Sequence, residues 1–205
     1  MIDHAKLLSG AVPLQPDHFT ARSKTPWGGT FIGKHFKEAL CPENIGTIIG
    51  ESWEFSCDPS APSLVMGTAL PLATLIPSCE ILVKIINARE NLSVQVHPHD
   101  TDSFLKSNEC GKPESWLILH AEPGAGIYLG FRPNVSKQIL MDLLLTSADL
   151  EGILNFIPVK AGDYFEIPAG VCHAVGAGVT LLEPQRVLPE NDVLIDYHVK
   201  FLTAF

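Results

Sequence analysis

The sequence has no excess of positive charge: its 205 residues include 14 Lys and Arg against 23 Asp and Glu, a formal net charge of -9. A nucleic-acid surface is thereby excluded, because a phosphate backbone demands a basic footprint. An anionic small molecule is compatible with this charge if a few lysines gather locally. Cysteine is sparse, with five residues at 41, 57, 79, 110 and 172 and no CxxC pair. An odd, scattered set indicates neither a disulfide framework nor a cysteine zinc site, and it suits a reducing cytoplasm. No apolar run reaches the ~20 residues of a membrane helix. The most apolar window, 64–76, is interrupted by Pro71, and the opening Met1-Ile2-Asp3-His4 lacks a basic segment followed by an apolar one. The expectation is a soluble, cytoplasmic protein without signal peptide, membrane or nucleic-acid partner.

What the sequence does contain points to β structure. Hydrophobic residues make up 46%, enough for one sizeable core, and 16 Gly with 16 Pro suit a turn-rich mainly β architecture rather than a helical bundle. Residues 1–26, with Pro13, Pro16 and Pro26, read as an irregular lead-in. Strand patterns cover 50–56, 81–86, 92–97, 114–119 and 179–183, and Trp27 and Trp53 read as core anchors. A helical insertion is expected over 136–155: Ile139, Leu140, Leu143 and Leu144 recur at helical spacing behind Ser136 as N-cap, and Ser147 would cap a second short helix carrying Leu150, Ile153 and Leu154. Gly124 to Gly130 has neither dinucleotide-loop spacing nor a P-loop lysine and reads as a hairpin connection. Lys84 stands inside an apolar run, so it must reach an acidic partner or line a polar cavity, unless its stem merely packs with its ammonium in water.

Two stretches carry chemistry. In 92–97, Leu92, Val94 and Val96 alternate with Ser93, Gln95 and His97, so the polar side chains share one strand face. Donors at i and i+2 can converge on a single ion. In 162–173, Gly162, Pro168 and Gly170 turn the chain sharply and place His173 just after the turn. This second stretch resembles the Gly-x5-Pro-x-Gly-x2-His signature of the cupin superfamily at every fixed position. Gln95, His97 and Glu114 occupy places comparable to the first cupin signature. The implied fold is mainly β, a double-stranded β-helix forming one domain over 1–205, with the lead-in, the insertion and a divergent segment at 186–205. Gln95, His97, Glu114 and His173 form a mixed N/O set suited to zinc or iron.

A closer resemblance is carried by Gly50-Glu51-Ser52-Trp53-Glu54, Leu92-Ser93-Val94-Gln95-Val96-His97-Pro98, Gly111-Lys112-Pro113-Glu114-Ser115-Trp116 and Ile167-Pro168-Ala169-Gly170 with His173 and Ala174. Together they resemble type I mannose-6-phosphate isomerase, in order from about Trp27 to Gln185. That resemblance implies one zinc ion on Gln95, His97, Glu114 and His173. It also implies phosphate contacts from Lys84 and Ser93, an active-site lysine at Lys112, and an enediol interconversion of mannose 6-phosphate and fructose 6-phosphate. The sequence alone does not identify the general base; Glu183 is a candidate, with a purely structural role as the alternative. After Gln185, members of that family continue into a strand bearing an active-site arginine, whereas no arginine follows Arg186 here. The alternative is therefore a metal-binding cupin that binds sugar phosphate with little turnover. The apolar Ile195, Tyr197, Val199 and Phe201 imply self-association through the C-terminal segment.

Overall fold

A computed structural model describes residues 10–76, 79–106, 109–146, 148–187 and 197–199 of the chain. Its strands are β1 (Glu51–Phe55), β2 (Ile81–Ala88), β3 (Val94–Val96), β4 (Glu114–Ala121), β5 (Gly126–Phe131), β6 (Leu154–Pro158), β7 (Tyr164–Ile167), β8 (His173–Val175), β9 (Val179–Arg186) and β10 (Tyr197–Val199). They form two five-stranded sheets, ordered β1-β2-β9-β4-β7 and β10-β3-β8-β5-β6. Every paired neighbour runs antiparallel. Ile86, Trp116, Ile118 and Leu181 of the first sheet pack with Ile127 and Val175 of the second in one buried cluster. This is the cupin double-stranded β-helix.

Register divides the interior into two zones. Lys84 lies opposite Glu183 and Leu82 opposite Gln185 between β2 and β9, while Glu114 of β4 lies opposite Gln185. Side chains alternate across a strand, so Lys84, Glu183, Gln185 and Glu114 share the inner face with Ile86, Leu181 and Ile118 further along. The apolar end makes the core, each large aliphatic residue contributing roughly 1.5–3 kcal/mol by burial. The polar end is left to a site. Outside the first sheet, Ile85 packs with Ile32 and Ile49, with Phe19 and Leu182 against them, so β2 is covered on both faces. That double cover explains its near-continuous apolar run. Ile32 belongs to the short helix α1 (Phe31–His35).

The insertion is shorter than its periodicity suggests. Helix α2 spans Lys137–Leu145, with Ser136 Oγ accepting from the Ile139 N–H at 3.2 Å. Residues 151–153 make only a 3-10 turn, and Leu154 and Asn155 already belong to β6, where Leu154 is fully buried. Leu150, Ile153 and Leu154 are apolar for a different reason: they pack against Val94 and Tyr128 without forming an α-helix. Ser147 lies outside the described residues. The hairpin connection is likewise tighter than expected. Gly124, at φ +83°, makes the turn, and Gly126 to Gly130 are inside β5. Ile195 and Phe201 lie outside the described residues, while the backbone of β10 pairs with β3. Among the described residues no helix is long and apolar enough to cross a membrane.

Candidate metal centre

Three elements bring buried donors together. His97 follows directly on β3, Glu114 opens β4 and His173 opens β8, and their ligand atoms all lie within 4.8 Å of one another. His97 Nε2 is 2.9 Å from Glu114 Oε1, and His173 Nε2 is 3.7 Å from Glu114 Oε2. The two imidazole rings stand 4.8 Å apart, centroid to centroid. Gln95 is the cross-strand neighbour of His173, and its Nε2 donates to Ser93 Oγ at 3.3 Å.

His173 fixes the chemistry of the cluster. Its Nδ1 is 2.8 Å from the Val171 carbonyl oxygen, which can only accept, so Nδ1 carries the proton and Nε2 presents a lone pair. That lone pair is buried without a hydrogen-bond partner and faces the Glu114 carboxylate. Burial, the largest influence, lowers the His173 pKa and keeps the ring neutral, although Glu114 pulls the other way. A neutral imidazole nitrogen and a carboxylate facing each other in a buried site make an acceptor pair that a cation between them would relieve. Burial works to raise the Glu114 pKa, but the His97 hydrogen bond and Lys112 outweigh it and hold the carboxyl ionised, well below its usual range. The donor set fits a divalent metal of the N/O-binding class.

The turn that delivers His173 requires its glycine. Gly170 has φ +79° and its N–H donates to the His97 carbonyl at 2.7 Å, so one hydrogen bond ties the two histidine-bearing segments together. A Cβ at Gly170 would run into the His99 imidazole.

A second polar group lies beside the cluster. Lys84 Nζ is 2.9 Å from Glu183 Oε1 and 3.7 Å from Glu51 Oε1. Trp116 Nε1 donates to Glu183 Oε2 at 2.9 Å, while Trp53 Nε1 and Thr20 Oγ1 donate to Glu51 Oε2. Burial, reinforced by the nearby Glu114 charge, pushes the Glu183 carboxyl up to about 7 despite Lys84. Burial alone would lower Lys84, but Glu183 and Glu51 more than offset it, so its pKa is raised and it stays charged. Lys84 thus both pairs with acids and lines a cavity. Lys112 is buried with Nζ 3.2 Å from Glu114 Oε1.

These groups border a cavity of about 600 Å³ whose walls include Lys84, Ser93, Gln95, His173 and Glu183. Trp27 and Trp53 line it too, and Trp27 also packs against the buried core as expected. Sequence reasoning missed Glu51, which reaches Lys84 only through the β1-β2 pairing. It also missed Gln185, a buried amide opposite Glu114 whose place on β9 two residues after Glu183 was the available signal. Arg186 points elsewhere: its Nη1 donates to both Asp100 carboxylate oxygens at 2.8 and 2.9 Å and its Nε to Glu80.

No family model matches the chain. It is 32% identical over 178 residues to the mannose-6-phosphate isomerase of Streptococcus mutans, covering 80% of this chain and 54% of that protein. It is 29% identical over 190 residues to the mannose-6-phosphate isomerase ManA of Bacillus subtilis, covering 85% of this chain and 58% of that protein. The crystal structure of the Bacillus subtilis mannose 6-phosphate isomerase superposes with a TM-score of 0.76 at 27% identity, covering 95% of this chain and 62% of that one. By sequence and by fold, the chain is a homologue of the mannose-6-phosphate isomerases and spans about half the length of the curated relatives it matches.

Proposed function

We propose that the chain is a metal-dependent aldose-ketose isomerase, cytoplasmic, that interconverts mannose 6-phosphate and fructose 6-phosphate through an enediol. His97, Glu114 and His173 would hold one divalent ion, zinc by their donor types, with the Gln95 amide oxygen as fourth ligand. The observation that carries this reading is the buried His173 Nε2 lone pair facing the Glu114 carboxylate beside a cavity large enough for a sugar phosphate. When bound, such an ion supplies fixed positive charge that polarises a carbonyl and steadies an oxyanion.

The protein's own groups do the rest. Glu183 is the proton-moving base between C1 and C2, because a carboxyl near 7 is both ionised in part and basic enough at neutral pH. Lys84 and Trp116 fix its two oxygens in place. Lys112 holds Glu114 and adds positive charge where enediolate oxygens develop. Ser93, accepting from Gln95 Nε2, would hold the amide in place for its oxygen to act as the fourth ligand. Coupled turnover of mannose 6-phosphate by zinc-loaded protein tests the proposal, with loss of turnover expected in Glu183→Gln. Binding of fructose 6-phosphate without any turnover would instead leave a metal-binding cupin that holds sugar phosphates.

A further inference from the structure

Gln185 is buried, polar and unused by the chemistry above. It is 2% exposed, and among the described residues neither its Nε2 nor its Oε1 meets a hydrogen-bond partner. Burying an amide in this way is costly, and an apolar side chain of similar size would be free of that cost. Gln185 is not on the cavity wall, so what the cavity holds is not what the amide serves.

Register limits what the amide can reach. Directly opposite Gln185 stand Leu82 on β2 and Glu114 on β4. Cβ atoms of directly opposed residues are about 4.5–5.5 Å apart, and Leu82 offers nothing polar. Glu183, two residues earlier on the same face, already has Lys84 on one oxygen and Trp116 on the other. The Glu114 carboxylate is what remains. The ladder continues beyond this pair, the Arg186 N–H donating to the Pro113 carbonyl at 3.2 Å, so the two backbones stay side by side. Glu114 Oε1 now lies 2.9 Å from His97 Nε2 and 3.2 Å from Lys112 Nζ. An ion held by this cluster would take up the His97 Nε2 lone pair, and the carboxylate would then call for another donor. A ligating carboxylate is itself hydrogen-bonded by outer groups, and the amide N–H directly across the ladder is placed to be one.

Resting on the metal centre of the isomerase reading, we infer that Gln185 is a positioning residue: its amide N–H hydrogen-bonds the Glu114 carboxylate when the centre is loaded and keeps that carboxylate on the ion. The test compares the full chain with Gln185→Met, which keeps the length of the side chain and removes the amide, and with Gln185→Leu. In chelator competition both variants should hold zinc roughly ten- to a hundredfold more weakly than the parent. Without metal both should unfold at or above the parent's temperature, because the unpartnered amide is gone. In proton–nitrogen correlation spectra of the parent, the Gln185 side-chain N–H signals, identified by their absence from Gln185→Met, should move downfield as zinc is added. Parent-like zinc affinity in either folded variant, or side-chain N–H signals that zinc leaves in place, would overturn the inference and leave the metal centre standing. A parent chain that binds no divalent ion would overturn both.

Discussion

Trp116→Phe isolates the proposed base from everything else in the barrel. The indole packs edge-on to His173 with centroids 5.4 Å apart, and a phenyl ring keeps most of that contact. What disappears is the Nε1 donor 2.9 Å from Glu183 Oε2, on a carboxyl group that is 3% exposed. A hydrogen bond to a charged group contributes about 1.5–3 kcal/mol. The donor stabilises the carboxylate over the carboxylic acid, so its loss raises the pKa. At 1.36 kcal/mol per pKa unit the rise is about one to two units, from a starting value of about 7. Because the base must be ionised to act, the acid limb of kcat/KM against pH should move up by that amount, with turnover recovering at higher pH. Coupled assays across the pH range, with zinc content measured for both proteins, make the comparison. A uniformly lower rate with the limb unmoved would show that Glu183 does not carry the proton.

Lys84→Met leaves Glu183 and Glu51 buried without their shared cation, and removing one partner of a buried pair costs about 3–5 kcal/mol. Thermal unfolding should fall by roughly 10 °C, and adding Glu183→Gln should restore part of it; an unchanged melting curve would contradict the pairing. Gly170→Ala must hold φ +79° with a side chain, a strain of about 1–2 kcal/mol. It should also lower zinc affinity in chelator competition, because the same turn ties His97 to the His173 segment, whereas parent-like affinity would show that the turn does not set the donors.

The ligand-type residues were legible because local geometry specifies them. Strand alternation puts Gln95 on the polar face and leads to His97, and a positive-φ glycine two residues after a proline marks the turn before His173. Lys84 shows the limit. Its place in an apolar run says that it needs a partner, but the partner depends on the β2-β9 register, which brings Glu183 opposite from 99 positions away. The second acid, Glu51, reaches Lys84 through a different pairing, that of β1 with β2. Leu150, Ile153 and Leu154 misled for another reason. Short apolar runs satisfy helix and strand spacing alike, and tertiary contact with Val94 and Tyr128 decided between them.

Metal content is the most direct test of the central claim. Elemental analysis of protein purified without added metal should find one divalent ion per chain, and His97→Ala and His173→Ala, each checked for folding by circular dichroism, should lose it. Folded variants that both retain the parent's metal would contradict the His97, Glu114 and His173 centre.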